Sequence, residues 1–183
     1  MKHERLELKN YFDFIGANGE NPTVDTYLPY NMVEMNRQNQ KRPSMIVCPG
    51  GGYGMCSERE SEPIALHFLT EGFNVFVLKY SVAPHRFPTQ IREVAALMEL
   101  IYANAEEWNC DTEKIAIIGF SADISVFSAG AQAVKMKVSK IMAAVGMSNV
   151  FFIVSTCLAL YMIRNNSIIL RFCKYLLSKA NVK

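Results

Sequence analysis

The sequence predicts an α/β protein with a mostly parallel sheet over its first 122 residues, and two observations lead to this prediction. Strand-like apolar segments alternate with segments of helical periodicity, which is the pattern of strand–helix–strand units. The strand-like segments are apolar almost throughout, as in strands that helices cover on both faces. With 183 residues, half of them hydrophobic and 20% charged, the chain can form one domain with a sizeable core.

Local signals define each element in order. Glycine, asparagine and proline separate the segments, and a proline in the first turn marks the start of the first helix. The predicted elements are one or two edge strands within residues 1–30, a strand at 44–48, a helix that starts within 61–63 and stops at Gly72, a strand at 73–80, a helix from Pro88 to Trp108 and a strand at 114–120. The second helix has a three-four apolar spacing, formed by Ile91, Val94, Ala95, Met98, Ile101, Tyr102, Ala105 and Trp108.

The charge of the chain changes character after Ala122. Residues 1–122 carry 11 basic and 16 acidic residues, whereas residues 123–183 carry eight basic residues and one acidic residue. All seven prolines and all three histidines also lie in the first part. We therefore divide the chain into an N-terminal α/β part, 1–122, and an atypical basic and apolar tail, 123–183. A net charge of +2, with basic residues scattered among apolar ones, predicts no nucleic-acid partner.

The cysteines and the N-terminus indicate a cellular setting. Five cysteines form an odd set without C-x-x-C spacing, which disfavours both a disulfide framework and a zinc site. The first residues are charged and alternating and lack the apolar run of a secretory signal. We therefore expect a cytoplasmic protein with reduced thiols, no metal and no cofactor.

Two loops contain residues suited to chemistry, and both follow predicted strands, where α/β sheets bind their ligands. In the first loop, residues 49–54 (PGGGYG), consecutive glycines can turn backbone N–H groups towards an oxyanion or a phosphate. A purely structural turn is the alternative, and no Lys-Ser/Thr pair follows, which argues against a nucleotide P-loop. The second loop, residues 119–122 (GFSA), is typical of a strand-to-helix turn that exposes a nucleophilic serine.

Four segments together resemble a known family. They are residues 48–53 (CPGGGY), 76–84 (FVLKYSVAP), 105–108 (AEEW) and 115–122 (IAIIGFSA). Their order and spacing over about residues 20–122 are similar to the acetyl-esterase and feruloyl-esterase-like branch of the α/β-hydrolases, the esterase/lipase superfamily. The resemblance implies the N-terminal part of an α/β-hydrolase, truncated after its nucleophile turn.

The same resemblance implies an activity and its residues. It implies a serine ester hydrolase acting on small acyl or acetylated-carbohydrate esters, so that a small-molecule ester is the expected partner. Ser121 would attack the ester carbonyl. The N–H groups of Gly51, Gly52 and Ala122 would form the oxyanion hole. The acyl group, the alcohol and the oligomeric state stay open.

The chain departs from this family after the serine. Asp123 stands where a glycine would allow close packing of strand and helix. α/β-Hydrolases order their triad Ser, Asp/Glu, His, but no histidine follows Ser121, and a serine without a base is a poor nucleophile. We therefore expect very low or no turnover, with His85, in a loop after a strand, as an alternative base. The competing hypothesis is a non-catalytic truncated hydrolase, membrane-associated or acting as a binding protein.

The tail allows two further hypotheses. If Ala122 is encoded by GCG, a shifted reading of Asp123, Ile124 and Ser125 permits Gly-His-Leu, the continuation typical of the family, so residues 123–183 could be translated out of frame after a short deletion. Residues 141–163 contain no charge and are long enough for a membrane-spanning helix. A buried helix, a strand pair or an accidental product of a shifted frame are the alternatives for this run.

Overall fold

The computed structural model describes residues 1–120, 150–156 and 159–160. Its helices are α1 (Glu62–Thr70) and α2 (Thr89–Ala103). Its strands are β1 (Lys2–Glu7), β2 (Thr23–Leu28), β3 (Arg42–Cys48), β4 (Asn74–Lys79), β5 (Cys110–Phe120), β6 (Val150–Thr156) and β7 (Ala159–Leu160). Short 3₁₀ turns lie at Leu8–Asn10, Val33–Met35 and Glu58–Glu60.

The described strands form one seven-stranded sheet with the order β1-β2-β4-β3-β5-β6-β7. The four consecutive strands β4, β3, β5 and β6 are parallel, whereas β1, β2 and β7 pair antiparallel with their neighbours. Helix α1 connects β3 to β4, and α2 connects β4 to β5. This arrangement confirms the predicted α/β class. Residues 1–30 contain two strands, of which β1 lies at the edge of the sheet whereas β2 pairs on both sides, with β1 and β4.

Both faces of the central strands β3 and β4 are buried, as their apolar sequences predict. Successive residues of a strand point to opposite faces, so β3 and β4 supply side chains to two separate cores. The core with α1 contains Tyr27, Met45, Val47, Ala65, Phe68, Phe73, Val75, Val77, Ala116 and Ile118. The core with α2 includes Leu8, Val24, Leu28, Ile46, Phe76, Leu78, Leu97, Leu100, Ile101, Ile115 and Ile117.

Helix α2 ends at Ala103, five residues before the predicted end at Trp108. The Asn104 side chain donates to the Leu100 carbonyl at 2.8 Å, and the chain then turns, with the Cys110 N–H donating to the Ala105 carbonyl at 2.8 Å. Trp108 is nevertheless buried, with its ring centroid 5.5 Å from that of Phe76. The apolar residues after Ala103 keep the helical spacing, but they lie in turns, and their side chains are buried from there.

The buried face of α2 is also rotated from the predicted apolar stripe. Ala95, a predicted stripe residue, is exposed. The fully buried positions on this helix are Glu93, Ala96, Leu97, Met98, Leu100 and Ile101. The two leucines bury more apolar area than an alanine can, which favours this rotation, but it also brings the Glu93 carboxyl into the protein interior.

Part of the apolar run at 141–163 forms two strands and not the membrane-spanning helix that its length allows. Val150–Thr156 pairs in parallel with β5, and Ala159–Leu160 returns antiparallel to it, so the strand-pair alternative holds for these residues. The run VFFIVST is rich in β-branched and aromatic residues, which favour strands. The rest of the run lies outside the described residues. Among those described, no helix has the length and apolar character needed to cross a membrane.

The core beneath α1 provides a test of this packing. Phe68 is 1% exposed, with its ring 5.6 Å from that of Phe73. We expect Phe68→Ala to lower the free energy of unfolding by about 3–5 kcal/mol, because it removes a large buried side chain and leaves a cavity. Urea titration followed by circular dichroism measures the change. Leu66→Ala, on the exposed side of α1, should change it by less than about 0.5 kcal/mol; equal losses in the two variants would contradict the packing.

Candidate active site

The two loops singled out from the sequence begin on neighbouring strands. β3 and β5 are adjacent and parallel, and Cys48 near the end of β3 is paired with Gly119 near the end of β5. Paired strands lie about 4.8 Å apart, so both strands leave the sheet side by side at its carboxyl edge. Ser121 follows the last residue of β5 directly. Ser121 and Ala122 themselves lie outside the described residues.

The glycine loop, residues 49–56, has a backbone that only glycine allows at one position. Gly51 has a φ of 143° and Gly52 a φ of 62°. A Cβ on Gly51 would overlap the carbonyl group of Met55. That approach belongs to a tight turn in which the N–H groups of Gly54 and Met55 donate to the Gly51 carbonyl at 3.1 and 3.3 Å. The glycines are therefore required by the fold of this loop as well as by any chemistry at it.

The N–H groups of the glycine loop differ in whether they have a hydrogen-bond acceptor. The Gly50 N–H donates to Glu60 Oε2 at 2.9 Å, which occupies this donor. The N–H groups of Gly51 and Gly52 have no acceptor within residues 1–120. Gly52 is exposed, and nothing lies within 4 Å of the position that its Cβ would take. Two backbone donors and open space are thus present next to the end of β5, as an oxyanion site requires.

The loop after β4, residues 80–88, is joined to the glycine loop by hydrogen bonds. The Tyr80 hydroxyl donates to the Pro49 carbonyl at 2.7 Å, and the Ala83 N–H donates to the Tyr53 carbonyl at 2.7 Å. The Cys56 thiol contacts the Tyr80 carbonyl at 3.6 Å. Both ends and the middle of the glycine loop are therefore held by one neighbouring loop.

Helix α2 in turn holds the loop after β4. Glu93 is fully buried, and its Oε2 accepts the Ser81 N–H at 2.9 Å. Gln90, three residues earlier on the same helix face, donates to the Ser81 carbonyl at 2.8 Å and to the His85 carbonyl at 3.4 Å. Burial raises the pKa of the Glu93 carboxyl, and the Ser81 hydrogen bonds offset part of that increase.

Sequence reasoning missed Glu93, although a signal was present. Counting three, four and seven residues along the chain from Glu93 leads to Ala96, Leu97 and Leu100, which is the spacing of one helix face. A charged residue in line with three apolar residues indicates a buried carboxylate with a specific partner. The partner is a backbone N–H group, which has no sequence signature of its own.

His85, the alternative base, lies on the loop after β4 and is half-buried. It interacts electrostatically with Glu93 and with Glu20. Glu20 is buried, and hydrogen bonds from the Asn18 side chain and N–H lower the pKa of its carboxyl to about 2. The segment between β1 and β2 reaches this edge because β1 runs in the same direction as β4. His85 therefore lies at the same edge of the sheet as these two carboxyl groups.

The two cysteines beside the glycine loop are not activated thiols. Burial raises the pKa of Cys48 to about 12 and that of Cys56 to about 11. Because the thiolate is the nucleophilic form of cysteine, neither thiol is reactive near neutral pH. Neither forms a disulfide, and nor does Cys110, the third cysteine in the described part of the chain.

This fold, with a glycine loop beside the strand that precedes Ser121, is typical of the α/β-hydrolases. Residues 24–136 match the family model BD-FAE, and the chain belongs to that family. It is 34% identical over 125 residues to endo-1,4-beta-xylanase B of Butyrivibrio fibrisolvens. The comparisons confirm both the superfamily and the esterase branch suggested by the sequence.

Solved structures agree with this assignment. An α/β-hydrolase from a Medee basin deep-sea metagenome library is 36% identical, covers 67% of this chain and superposes with a TM-score of 0.57. An acetyl ester-xyloside bifunctional hydrolase from Caldicellulosiruptor lactoaceticus is 28% identical, covers 65% of this chain and has a TM-score of 0.57. The chain spans 47% and 43% of those two proteins. The aligned part is 65% of this chain and 18% of the xylanase.

The glycine loop predicts unequal effects of two similar substitutions. Gly51→Ala places a Cβ against the Met55 carbonyl, so the turn must open, and we expect clear destabilisation. Gly52→Ala meets no neighbouring atom and should cost about 1 kcal/mol for its left-handed φ. Chemical unfolding of both variants measures the difference. Equal stability of the two would show that the turn around Gly51 does not have this geometry.

The raised pKa of Glu93 predicts a pH-dependent effect. A carboxyl with a pKa raised by folding stabilises the protein below its ordinary pKa, and this contribution is lost as the pH rises through the folded value. Glutamine has no such loss. We therefore expect the stability of Glu93→Gln relative to the parent to be higher at pH 8 than at pH 4, in urea titrations. Glu99→Gln, exposed on the same helix, is the control. If the stability of Glu93→Gln relative to the parent is the same at pH 4 and pH 8, the pKa of Glu93 is not raised.

Proposed function

We propose that this chain carries the nucleophile and oxyanion part of a serine ester hydrolase. The pairing of Cys48 with Gly119 carries the proposal, because it brings the end of the serine-bearing strand next to the glycine loop. Ser121 is the nucleophile, and the N–H groups of Gly51, Gly52 and Ala122 bind the oxyanion. Membership of an esterase family supports these roles.

The proposed reaction is acyl transfer. The Ser121 hydroxyl oxygen bonds to the ester carbonyl carbon while its proton passes to a base. The carbonyl oxygen becomes an oxyanion, which backbone N–H groups stabilise more strongly than the neutral carbonyl of the substrate. When the tetrahedral intermediate collapses, the alcohol leaves with a proton and the acyl group stays on Ser121. Water then releases the acid by the same steps.

The base limits turnover in this chain. No histidine follows Ser121, so we propose that turnover is very low and that His85 supplies what base catalysis there is. Its loop is hydrogen-bonded to the glycine loop through Ala83 and Tyr53. The strand before it, β4, is separated from β5 by β3 alone, a distance of about 10 Å between backbones, which a histidine on a loop must bridge.

The substrates of the relatives guide the proposed substrate class. One relative is named as a xylanase and another as an acetyl ester-xyloside hydrolase. We therefore propose small acyl or acetylated-carbohydrate esters. Acetylated xylo-oligosaccharides and a simple aryl acetate should both be tested, with acetate release as the measurement. Hydrolysis of the aryl ester alone would contradict the carbohydrate part of the proposal.

A fluorophosphonate probe tests the nucleophile. We expect slow labelling that maps to Ser121 and disappears in Ser121→Ala, because the probe requires an activated serine. His85→Ala should slow the labelling further, whereas His67→Ala, on helix α1, should leave it unchanged. The absence of labelling of an accessible Ser121 would reject the enzymatic proposal for this chain. Equal rates in the two histidine variants would reject His85 as the base.

The alternative is a non-catalytic hydrolase-like protein that is membrane-associated or binds a partner. The missing histidine and Asp123 after the serine favour it. The change in composition after Ala122 supports the related proposal that residues 123–183 are translated out of frame. The nucleotide sequence tests that proposal. It should encode family-like Asp and His segments in the shifted frame, and a shifted frame without them would reject it.

A further inference from the structure

We infer that Glu93 is a positioning residue, which fixes the glycine loop through the backbone of the loop after β4. Glu93 makes no hydrogen bond to the glycine loop among the described residues; it acts through Ser81 and the segment that follows. The inference deepens the proposed function, since the glycine loop is the proposed oxyanion site. The hydrogen bonds on which it rests are present whether or not the chain is an active enzyme.

The first step is the contact between Glu93 and Ser81. Glu93 is 0% exposed and Ser81 is 7% exposed, and Oε2 of Glu93 accepts the Ser81 N–H at 2.9 Å. The second oxygen, Oε1, is buried without a hydrogen-bond partner among the described residues. A buried N–H without an acceptor is strongly destabilising. The carboxyl group therefore determines where the chain after β4 can lie.

The second step is the other hydrogen bond at the same place. Gln90 Nε2 donates to the Ser81 carbonyl at 2.8 Å, so both backbone polar groups of Ser81 are held by side chains of α2. Helix α2 is in turn anchored in the core by Leu97 and Ile101. The loop after β4 is thus tied to a rigid element and cannot shift by itself.

The third step connects this loop with the glycine loop. Tyr80, directly before Ser81, donates its hydroxyl to the Pro49 carbonyl, and Ala83, two residues after Ser81, donates its N–H to the Tyr53 carbonyl, both at 2.7 Å. These two bonds lie on either side of Gly51 and Gly52 in the sequence. A displacement of Ser81 would therefore change the direction of the proposed oxyanion donors between them.

The chemistry at Glu93 explains why the position is polar. A leucine there would extend the apolar face of α2 and avoid the cost of a buried carboxyl. The carboxyl accepts the Ser81 N–H whether it is ionised or protonated, and a glutamine side chain can accept it as well. Glu20, Cys56 and His85 are titratable groups that interact with Glu93 from the neighbouring segments. Because glutamine preserves the acceptor and leucine removes it, the two substitutions separate positioning from charge.

Amide hydrogen exchange measured by NMR tests the inference without reference to catalysis. In Glu93→Leu we expect the amides of Ser81 and Ala83 to exchange at least about tenfold faster, because the loop after β4 loses its hydrogen bond to Glu93 and opens more often. Amides in β3 and β4 should keep their rates. Glu93→Gln should restore the protection of both amides to within about threefold of the parent. Unchanged protection of the Ala83 amide in Glu93→Leu would overturn the inference.

A second variant tests the hydrogen bonds between α2 and Ser81 if Glu93→Leu does not fold. Gln90→Ala removes the bond to the Ser81 carbonyl from a half-buried position, so it should fold and increase the exchange of the Ser81 and Ala83 amides about threefold. Arg92→Ala, an exposed neighbour on α2 that contacts Phe14 instead, is the matched control. Equal exchange in Gln90→Ala and Arg92→Ala would also overturn the inference.

Labelling with the fluorophosphonate probe separates this inference from the proposed function. Slower labelling of Ser121 in Glu93→Leu, with recovery in Glu93→Gln, would support both. If the parent chain is not labelled at all, the enzymatic proposal fails while the exchange rates still decide the positioning role. Parent-like labelling in a Glu93→Leu variant with fast amide exchange would reject the effect on the oxyanion site.

Discussion

The parallel pairing of β3 with β5 is the constraint on which the rest of the structure depends. Its register, with Cys48 opposite Gly119, sets the origin of the glycine loop relative to the serine-bearing end of β5. The same pairing forces the connection through α1, β4 and α2, because parallel strands need a crossover. Both cores and all the loops at the carboxyl edge follow from it. A shift of one residue would exchange the side chains that β3 presents to the two cores.

Much of this architecture could be predicted from the sequence because the strands are nearly uniformly apolar. Strand β4 lies within the predicted segment, and Gly72 ends helix α1 as predicted, with a φ of 89°. The end of α2 could not be predicted in the same way. Apolar residues continue at helical spacing to Trp108. The turn that replaces the helix is held by the distant side chains of Lys41 and Asn74, which donate to the Ala105 and Trp108 carbonyls. The spacing of apolar residues indicates which side chains are buried, but residues in turns can be buried as well as residues in a helix.

The sequence predicted which residues belong to the candidate site, but it did not predict the hydrogen bonds that hold them in place. The glycines of the loop and their backbone geometry follow from the sequence, since consecutive glycines permit positive φ values. Glu60, Glu93 and Tyr80 were not predicted as site residues, because each contacts a backbone group: the Gly50 N–H, the Ser81 N–H and the Pro49 carbonyl. Backbone partners leave no pattern in a sequence, so such supports become visible in three dimensions alone.

The two edges of the sheet use hydrogen bonds differently, and the difference bears on function. At the amino edge, the Asn74 side chain donates to the Trp108 and Asn109 carbonyls, and the Arg42 N–H donates to the Asn109 carbonyl. Those bonds tie the starts of β3 and β4 to the turn before β5. At the carboxyl edge the loops are joined as firmly, yet within residues 1–120 the N–H groups of Gly51 and Gly52 have no acceptor. Gly52 is exposed, so water can satisfy its N–H, and the proposed oxyanion role rests on the position of the glycine loop beside the end of β5.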